Sequence, residues 1–331
     1  MHASQIQLVA IQMQLRPEDY RSPQSFERKV SSLMAQLAHY LRDGLPTLVA
    51  WPEDVGLMLV LQGMWDELRD ARSSREALSR AVRAHLLPAL AHRLFHGLRW
   101  PASLIRHRWR VMAETYLDTF SRAARTYGVY IAAGSIPLPA IDLGGHGARV
   151  VDHRIYNTAY LFDPSGDIVG TQRKVHLIDL EGPQMLGLTP SPSGEIRAYS
   201  TELGTLGLAI CLDAFQEDVI RALAAQGTQI LVQPSANPAP WSRPQQEDWL
   251  NGSYRAVQIR RVCRYAVNPM MTGRLWEIAF YGQSSIITSE PTPPARGYRD
   301  LGPMVGFLQV ASSDSDEEIL VARVPHPDLS V

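Results

Sequence analysis

The sequence predicts an α/β fold, and three observations support this. Short apolar runs of strand length recur along the chain, with helix-like patterns between several of them. The 331 residues are 45% hydrophobic and 20% charged, an ordinary globular composition with enough apolar side chains for a sizeable core. Several chemistry-bearing residues also fall just past the ends of apolar runs, where open α/β sheets gather their ligands.

Residues 6–13 alternate in the manner of a strand, and their start is too short and too weakly basic for a signal peptide. A helical pattern follows from about 23 to 41, then a short apolar strand at 47–51. Two helical pieces are expected between 65 and 127, and strands at 129–133 and 155–162. The strand at 206–210 leads directly into a helix expected over 213–225. There Asp213 and Gln216 have the spacing of an N-cap and its capping-box partner, Phe215, Val219 and Leu223 recur every four residues, and Gly227 marks the stop. A strand at 230–233, a helix over 245–260 and a strand at 284–287 complete the pattern. The proline-rich stretches "PSANPAPWSRP" and "SEPTPPARG" read as surface connections and no internal repeat is visible, so residues 1–331 are read as one domain.

Charge and cysteine content narrow the class. A formal net charge of −1 gives no argument for a nucleic-acid partner. Two cysteines, Cys211 and Cys263, cannot build a disulfide framework or a metal cage. No metal or cofactor is therefore expected, and a thiol that has to stay reduced points to the cytoplasm. No apolar run reaches membrane-spanning length. Lysine is scarce: of 32 basic residues only Lys29 and Lys174 are lysines, and a retained lysine needs a local reason for a compact, flexible charge.

Cys211 lies at the strand-to-helix turn and has two readings. Unpaired N–H groups and the positive end of the following helix would favour thiolate and supply an oxyanion donor. Free cysteine is also among the most buried residue types and packs as a small hydrophobe. Glu53, in "TLVAWPEDVG", and Lys174, in "GTQRKVHLIDLEG", sit at comparable strand ends. Together the three supply a general base, an oxyanion partner and a nucleophile, the minimum set for acyl transfer through a thioester. Taken singly, Glu53 reads as a helix-start acid and Lys174 as a solvated turn residue.

Five segments, in order and spacing, resemble the nitrilase or carbon–nitrogen hydrolase superfamily. "VAWPED" resembles its glutamate segment, "YNTAYLFDPSGDIVGTQRKVHL" its lysine segment, and "GLAICLDAFQEDVIRALAAQGTQILVQPSANP" its cysteine segment. "RAVQIRRVCRYAVNPM" and "FYGQSSIIT" resemble the arginine helix and the Gly-x-Ser turn that come after it. The resemblance implies a four-layer αββα sandwich, commonly paired into a homodimer. It implies that Cys211 attacks the substrate carbon, that Glu53 takes the thiol proton and later activates water, and that Lys174 and the Leu212 N–H hold the oxyanion. Glu181 is the nearest candidate for a second glutamate found in many members. Trp241 and Tyr281 are candidates for pocket walls, with ordinary packing as the alternative.

Three departures from the family pattern stand out. Arg255 and Ala256 are followed by Val257, Gln258 and Ile259, where the family often has a residue, then Glu and Asn. Cys211 is followed by Leu212 and Asp213, closer to the Cys-aromatic-Asp of amidases and carbamoylases than to the Cys-Trp-Glu of nitrile hydrolases. Hydrolysis of a small amide or carbamoyl compound is therefore expected. Nitrile hydrolysis, N-acyl transfer with the same triad, and an inactive binding or scaffold protein of this fold are the alternatives.

The third departure is a helical insertion at about 57–110. From Arg69 to Arg110 ten arginines stand against Asp70 and Glu76, a formal +8, which leaves −9 for the rest. Leu78, Val82, Leu86, Leu90, Leu94 and Leu98 recur at fours. This stripe is expected to pack on the sandwich as a lid or dimer contact, its arginines pairing with the acidic remainder. Docking on an anionic membrane, with Trp65, Trp100 and Trp109 at the interface, is less favoured. Pro88 and Pro101 interrupt a long helix, and His85, His92 and His96 dilute the fixed charge.

Overall fold

The first strand, Gln5–Gln12, sends Ile6, Leu8 and Ala10 into one hydrophobic cluster and Val9 and Ile11 into another. Successive side chains of a strand point to opposite faces, so a strand apolar on both has to be covered twice. In the computed structural model, which describes residues 4–144 and 148–328, a second sheet supplies one cover and helices supply the other. The first three residues of the N-terminal segment lie outside the described residues.

The first sheet has the order Glu318–Pro325, Gln5–Gln12, Thr47–Ala50, Tyr130–Ala132, Arg149–Phe162, Ile136–Asp142, with Ile168–Arg173 also pairing Arg149–Phe162. Strands Gln5–Gln12, Thr47–Ala50 and Tyr130–Ala132 run parallel at its centre. The second sheet has the order Phe307–Val310, Ser285–Thr288, Tyr265–Asn268, Ile230–Val232, Gly204–Leu208, Ala198–Thr201, again with three parallel strands inside. Gln5–Gln12 touches Tyr265–Asn268 and Ser285–Thr288 of the opposite sheet, which brings the sheets face to face.

The helices are α1 (Pro23–Ala38), α2 (Trp65–Leu68), α3 (Ser74–Ala84), α4 (Leu86–His96), α5 (Trp100–Tyr127), α6 (Glu217–Ala225) and α7 (Arg243–Trp249). Helices α1 and α5 cover the outer face of the first sheet. Phe120 of α5 meets Phe26 of α1 at 6.1 Å between ring centroids and Trp51, just past a central strand, at 5.3 Å. Helix α6 contributes Val219, Ile220 and Leu223 to the cluster around the second sheet. The layers fit the αββα sandwich that the sequence resemblance implied.

Several expected elements differ. The helix expected from 213 begins at Glu217, because Cys211–Phe215 form a separate 3-10 turn; Asp213 does not cap it. The helix expected over 245–260 is α7 followed by a π-helical turn at Arg255–Ile259. Pro88 and Pro101 lie in the first turns of α4 and α5, where proline is tolerated, and the stretch is divided there into separate helices, as expected. The chain bends at His85 (φ −119°, ψ 31°), and this bend splits the leucine stripe. Leu78, Val82 and Leu98 pack against the core, but Leu86 and Leu94 are exposed, so the expected packing of the whole stripe is corrected. Trp109 is buried and does not serve an interface.

Cys263 sits in a bend just before Tyr265–Asn268, buried in the second cluster, and burial pushes its thiol up to about 12. A serine hydroxyl there would lose its water without a hydrogen-bond partner. Cys263→Ser should therefore lower unfolding free energy by about 1–3 kcal/mol in a urea titration and leave turnover per folded molecule unchanged.

Candidate active site

Glu53, Lys174 and Cys211 each hang from the end of a strand, while Glu181 lies in the loop after Lys174. Beyond Thr47–Ala50, the Trp51 N–H donates to the Ala132 carbonyl at 2.8 Å and carries the ladder one residue further. The chain then turns at Asp54, whose φ is 59° and whose N–H donates to Ser135 Oγ at 2.9 Å. Gly134 (φ +73°) makes room for this turn, since a Cβ there would stand 2.0 Å from the Pro52 carbonyl oxygen. Glu53 is thereby aimed inward and is 2% exposed.

Lys174 follows Ile168–Arg173, its N–H donating to the Asn157 carbonyl at 2.8 Å, and is 1% exposed. Cys211 follows Gly204–Leu208; its N–H donates to the Pro234 carbonyl at 2.8 Å, and Gln233 Nε2 donates to the Cys211 carbonyl at 3.4 Å. Cys211 has φ 48°, a left-handed conformation that costs a side-chain-bearing residue about 1–3 kcal/mol.

The structure brings Glu53, Lys174 and Glu181 into direct contact. Lys174 Nζ donates to Glu53 Oε1 and to Glu181 Oε2, each at 2.6 Å. Asn157 Nδ2 bridges the same two carboxylates, at 3.1 Å to Glu53 Oε1 and 2.8 Å to Glu181 Oε1. The Ala236 N–H donates to Glu53 Oε2 at 3.2 Å, and the Ile178 N–H to Glu181 Oε2 at 3.0 Å. Cys211 and Glu53 are near enough for each to shift the other's ionisation.

The electrostatics follow from burying two carboxylates with one ammonium. Burial pushes Glu53 up to about 7, against the pull of Lys174 and with a further push from Glu181. Burial alone would lower Lys174, but the Glu53, Cys211 and Glu181 charges outweigh it and hold the ammonium well above its ordinary value. Burial and the Glu53 carboxylate raise the Cys211 thiol well above its ordinary value, so it is protonated at rest. The sequence expectation that a helix start would favour thiolate is corrected: Cys211 opens only a single 3-10 turn, and two carboxylates lie nearby.

Two residues that reasoning from sequence missed or misread complete the site. Asn157 carries no signal of its own inside the lysine segment. The Asp213 carboxylate accepts the His176 N–H at 2.7 Å and the Val175 N–H at 3.1 Å, tying the turn at Cys211 to the segment that carries Lys174. The N-cap role expected for it is replaced by this long-range clamp. Burial pushes Asp213 up to about 6 despite these bonds.

Of the two pocket-wall candidates, Trp241 is buried among Trp249 and Tyr298 with its Nε1 donating to Gln283 at 3.0 Å, a packing position. Tyr281 is half-buried, its backbone bonded to Asn237 just past Ala236. Gln258, where the family often has glutamate, donates to the Thr288 carbonyl, so that departure falls away from the cluster of Glu53, Lys174 and Glu181.

A family profile described as carbon–nitrogen hydrolase matches residues 72–290. The chain is 31% identical over 133 residues to an omega-amidase NIT2 of Danio rerio, a match spanning 38% of this chain and 44% of that protein. It is 29% identical over 248 residues to a deaminated glutathione amidase of Homo sapiens, 70% of this chain and 69% of the other. A solved mutant of the Nesterenkonia AN1 amidase from the nitrilase superfamily superposes with a TM-score of 0.56 at 19% identity, covering 97% of this chain and 92% of that one; this likeness concerns the fold.

The raised Asp213 carboxyl has a stability consequence with a definite sign. A carboxyl whose value rises on folding binds its proton more tightly in the folded state, so its contribution to stability is largest at low pH and is lost as pH rises from 3.8 towards about 6. The stability difference between Asp213→Asn and the parent should shift in the variant's favour over that window and level off above it. Urea titrations at several pH values measure this, and a shift in the opposite direction would contradict the assignment.

Proposed function

Because the chain belongs to the carbon–nitrogen hydrolase family, we propose that it hydrolyses the C–N bond of a small amide through a thioester on Cys211. The observation that supports this most is the state of Lys174. An ammonium has three N–H donors; two go to Glu53 and Glu181, which leaves one for a negative oxygen forming beside the nucleophile.

In the proposed reaction the thiol is neutral until substrate arrives. Glu53 takes the Cys211 proton as sulfur attacks the amide carbon, and the carbonyl oxygen becomes an oxyanion held by Lys174 and by the Leu212 N–H. Collapse breaks the C–N bond as Glu53 returns the proton to the leaving nitrogen. Water then adds to the thioester, giving its proton to Glu53; the carboxylic acid leaves and the sulfur regains its proton. Glu181 and Asn157 touch no reacting atom in this scheme and act as positioning residues, holding the ammonium and the base in register. Tyr281 is assigned to the pocket wall. Residues 1–331 are taken as one catalytic domain working as a homodimer in the cytoplasm, where a reduced thiol is maintained.

Release of ammonia or amine across a panel of short amides, carbamoyl amino acids and nitriles tests the reading, and turnover of nitriles alone would overturn it. Cys211→Ala, Glu53→Gln and Lys174→Arg should each lower kcat/KM by at least ~10³-fold while the fold persists, because base, nucleophile and oxyanion donor act as a unit. Lys174→Arg is the sharpest, as it keeps the charge and changes only its geometry. The base works as a carboxylate and its value is raised to about 7, so kcat/KM should be full above that pH and fall about tenfold per unit below it. A flat profile between pH 5 and 8 would remove Glu53 from the role of base.

A further inference from the structure

Helix α4 is built inside out. The opposite side carries buried Ala89 and half-buried His92, with exposed His96 next to them. The His92 ring lies 6.3 Å from that of His107 on α5, and His96 stacks at 3.8 Å on His153 of the strand Arg149–Phe162. Its outward side carries Leu86, Leu87, Leu94 and Phe95, which are 46%, 79%, 72% and 82% exposed. At 100° per residue the half-buried Leu90 and Ala91 fall between them, so one half of the helix surface is a continuous apolar face turned to solvent. A surface helix ordinarily does the reverse, and an exposed apolar patch of this kind marks a contact site.

The charge around this face is uncompensated. In the stretch from Arg69 to Arg110, Arg69, Arg80 and Arg110 pair with Asp70, Glu76 and Glu114. Among the described residues the other seven arginines of the stretch have no ion pair, so the expected pairing with the acidic remainder is not made within the single chain. Arg83 stands three residues before Leu86 and Arg99 four residues after Phe95, both exposed and without an ion pair, so the chain carries an uncompensated guanidinium group just before the helix and another just after it. Among the described residues no helix is long and apolar enough to cross a membrane, which leaves contact at a surface.

We propose that α4 docks on an anionic lipid bilayer, its leucines and Phe95 entering the boundary between headgroups and acyl chains while Arg83 and Arg99 meet the lipid phosphates. This reverses the order of preference that the sequence suggested. A two-fold contact with a second copy would set one arginine-rich insertion against another, whereas a field of phosphates complements all of them. The inference is independent of the proposed reaction, and its test needs no turnover measurement.

The test is co-sedimentation of the full chain with vesicles of phosphatidylcholine alone and of phosphatidylcholine mixed with phosphatidylglycerol. The chain should pellet with the mixed vesicles at low salt and severalfold less at about 0.15 M salt, where the screening length is about 8 Å. A combined Leu87→Ser, Leu94→Ser, Phe95→Ser variant should lose at least tenfold in binding with an unchanged Tm. An Arg83→Gln, Arg99→Gln variant, which leaves the apolar face intact, should bind more weakly and with less salt dependence. No pelleting with mixed vesicles at low salt, or equal pelleting of the serine variant, would overturn the proposal. So would conversion of a dimer to a monomer by the serine variant without any vesicle binding, which would give the face to a second copy.

Discussion

The ammonium of Lys174, buried between the carboxylates of Glu53 and Glu181, is the interaction on which the rest of the site depends. A charge removed from water is tolerated only where partners of opposite sign and good geometry replace the solvent. Here the partners come from separate loops: Glu53 from beyond a central strand of the first sheet, Glu181 from the loop after Lys174 itself. Removing the lysine would leave two buried carboxylates facing each other. Asn157 and the Ala236 and Ile178 N–H groups satisfy lone pairs that the ammonium does not reach, so the carboxylates are held by a network and not by one contact.

The same balance of charge sets the resting state of Cys211. One ammonium against two carboxylates leaves an excess of negative charge beside Cys211, and a thiolate added there would meet repulsion as well as poor solvation. The thiol therefore keeps its proton, while Glu53 beside it is made more basic by the same burial. This differs from sites in which a helix end or an imidazolium preforms the thiolate. The scaffold supports the arrangement from behind: Phe120 and Trp51 lock α5 onto the strand that leads to Glu53, and the Tyr116 hydroxyl donates to the Ala133 carbonyl next to Gly134.

Much of this was legible in the sequence. Glu53, Lys174 and Cys211 stand at the ends of apolar runs, and strand ends are positions that periodicity can find. Asn157 was not legible, because its importance lies in bridging residues 104 and 24 positions away. Asp213 was misread because its spacing to Gln216 satisfied a local capping pattern, while the bonds it makes are to residues 37 and 38 positions upstream. The leucine stripe of the insertion shows a third limit. A period near four reports that a helix has an apolar side but not whether that side faces the protein, and in α4 it faces outward.

The left-handed turn at Cys211 also bears on the history of the molecule. Glycine would occupy φ 48° without steric penalty, and asparagine at less cost than most residues. A lineage that kept this sandwich only as a scaffold would gain stability by letting either of them drift into the position. The sulfur sits where the backbone would prefer to have no side chain, so a thiol at this position is held at a cost in stability that glycine would avoid.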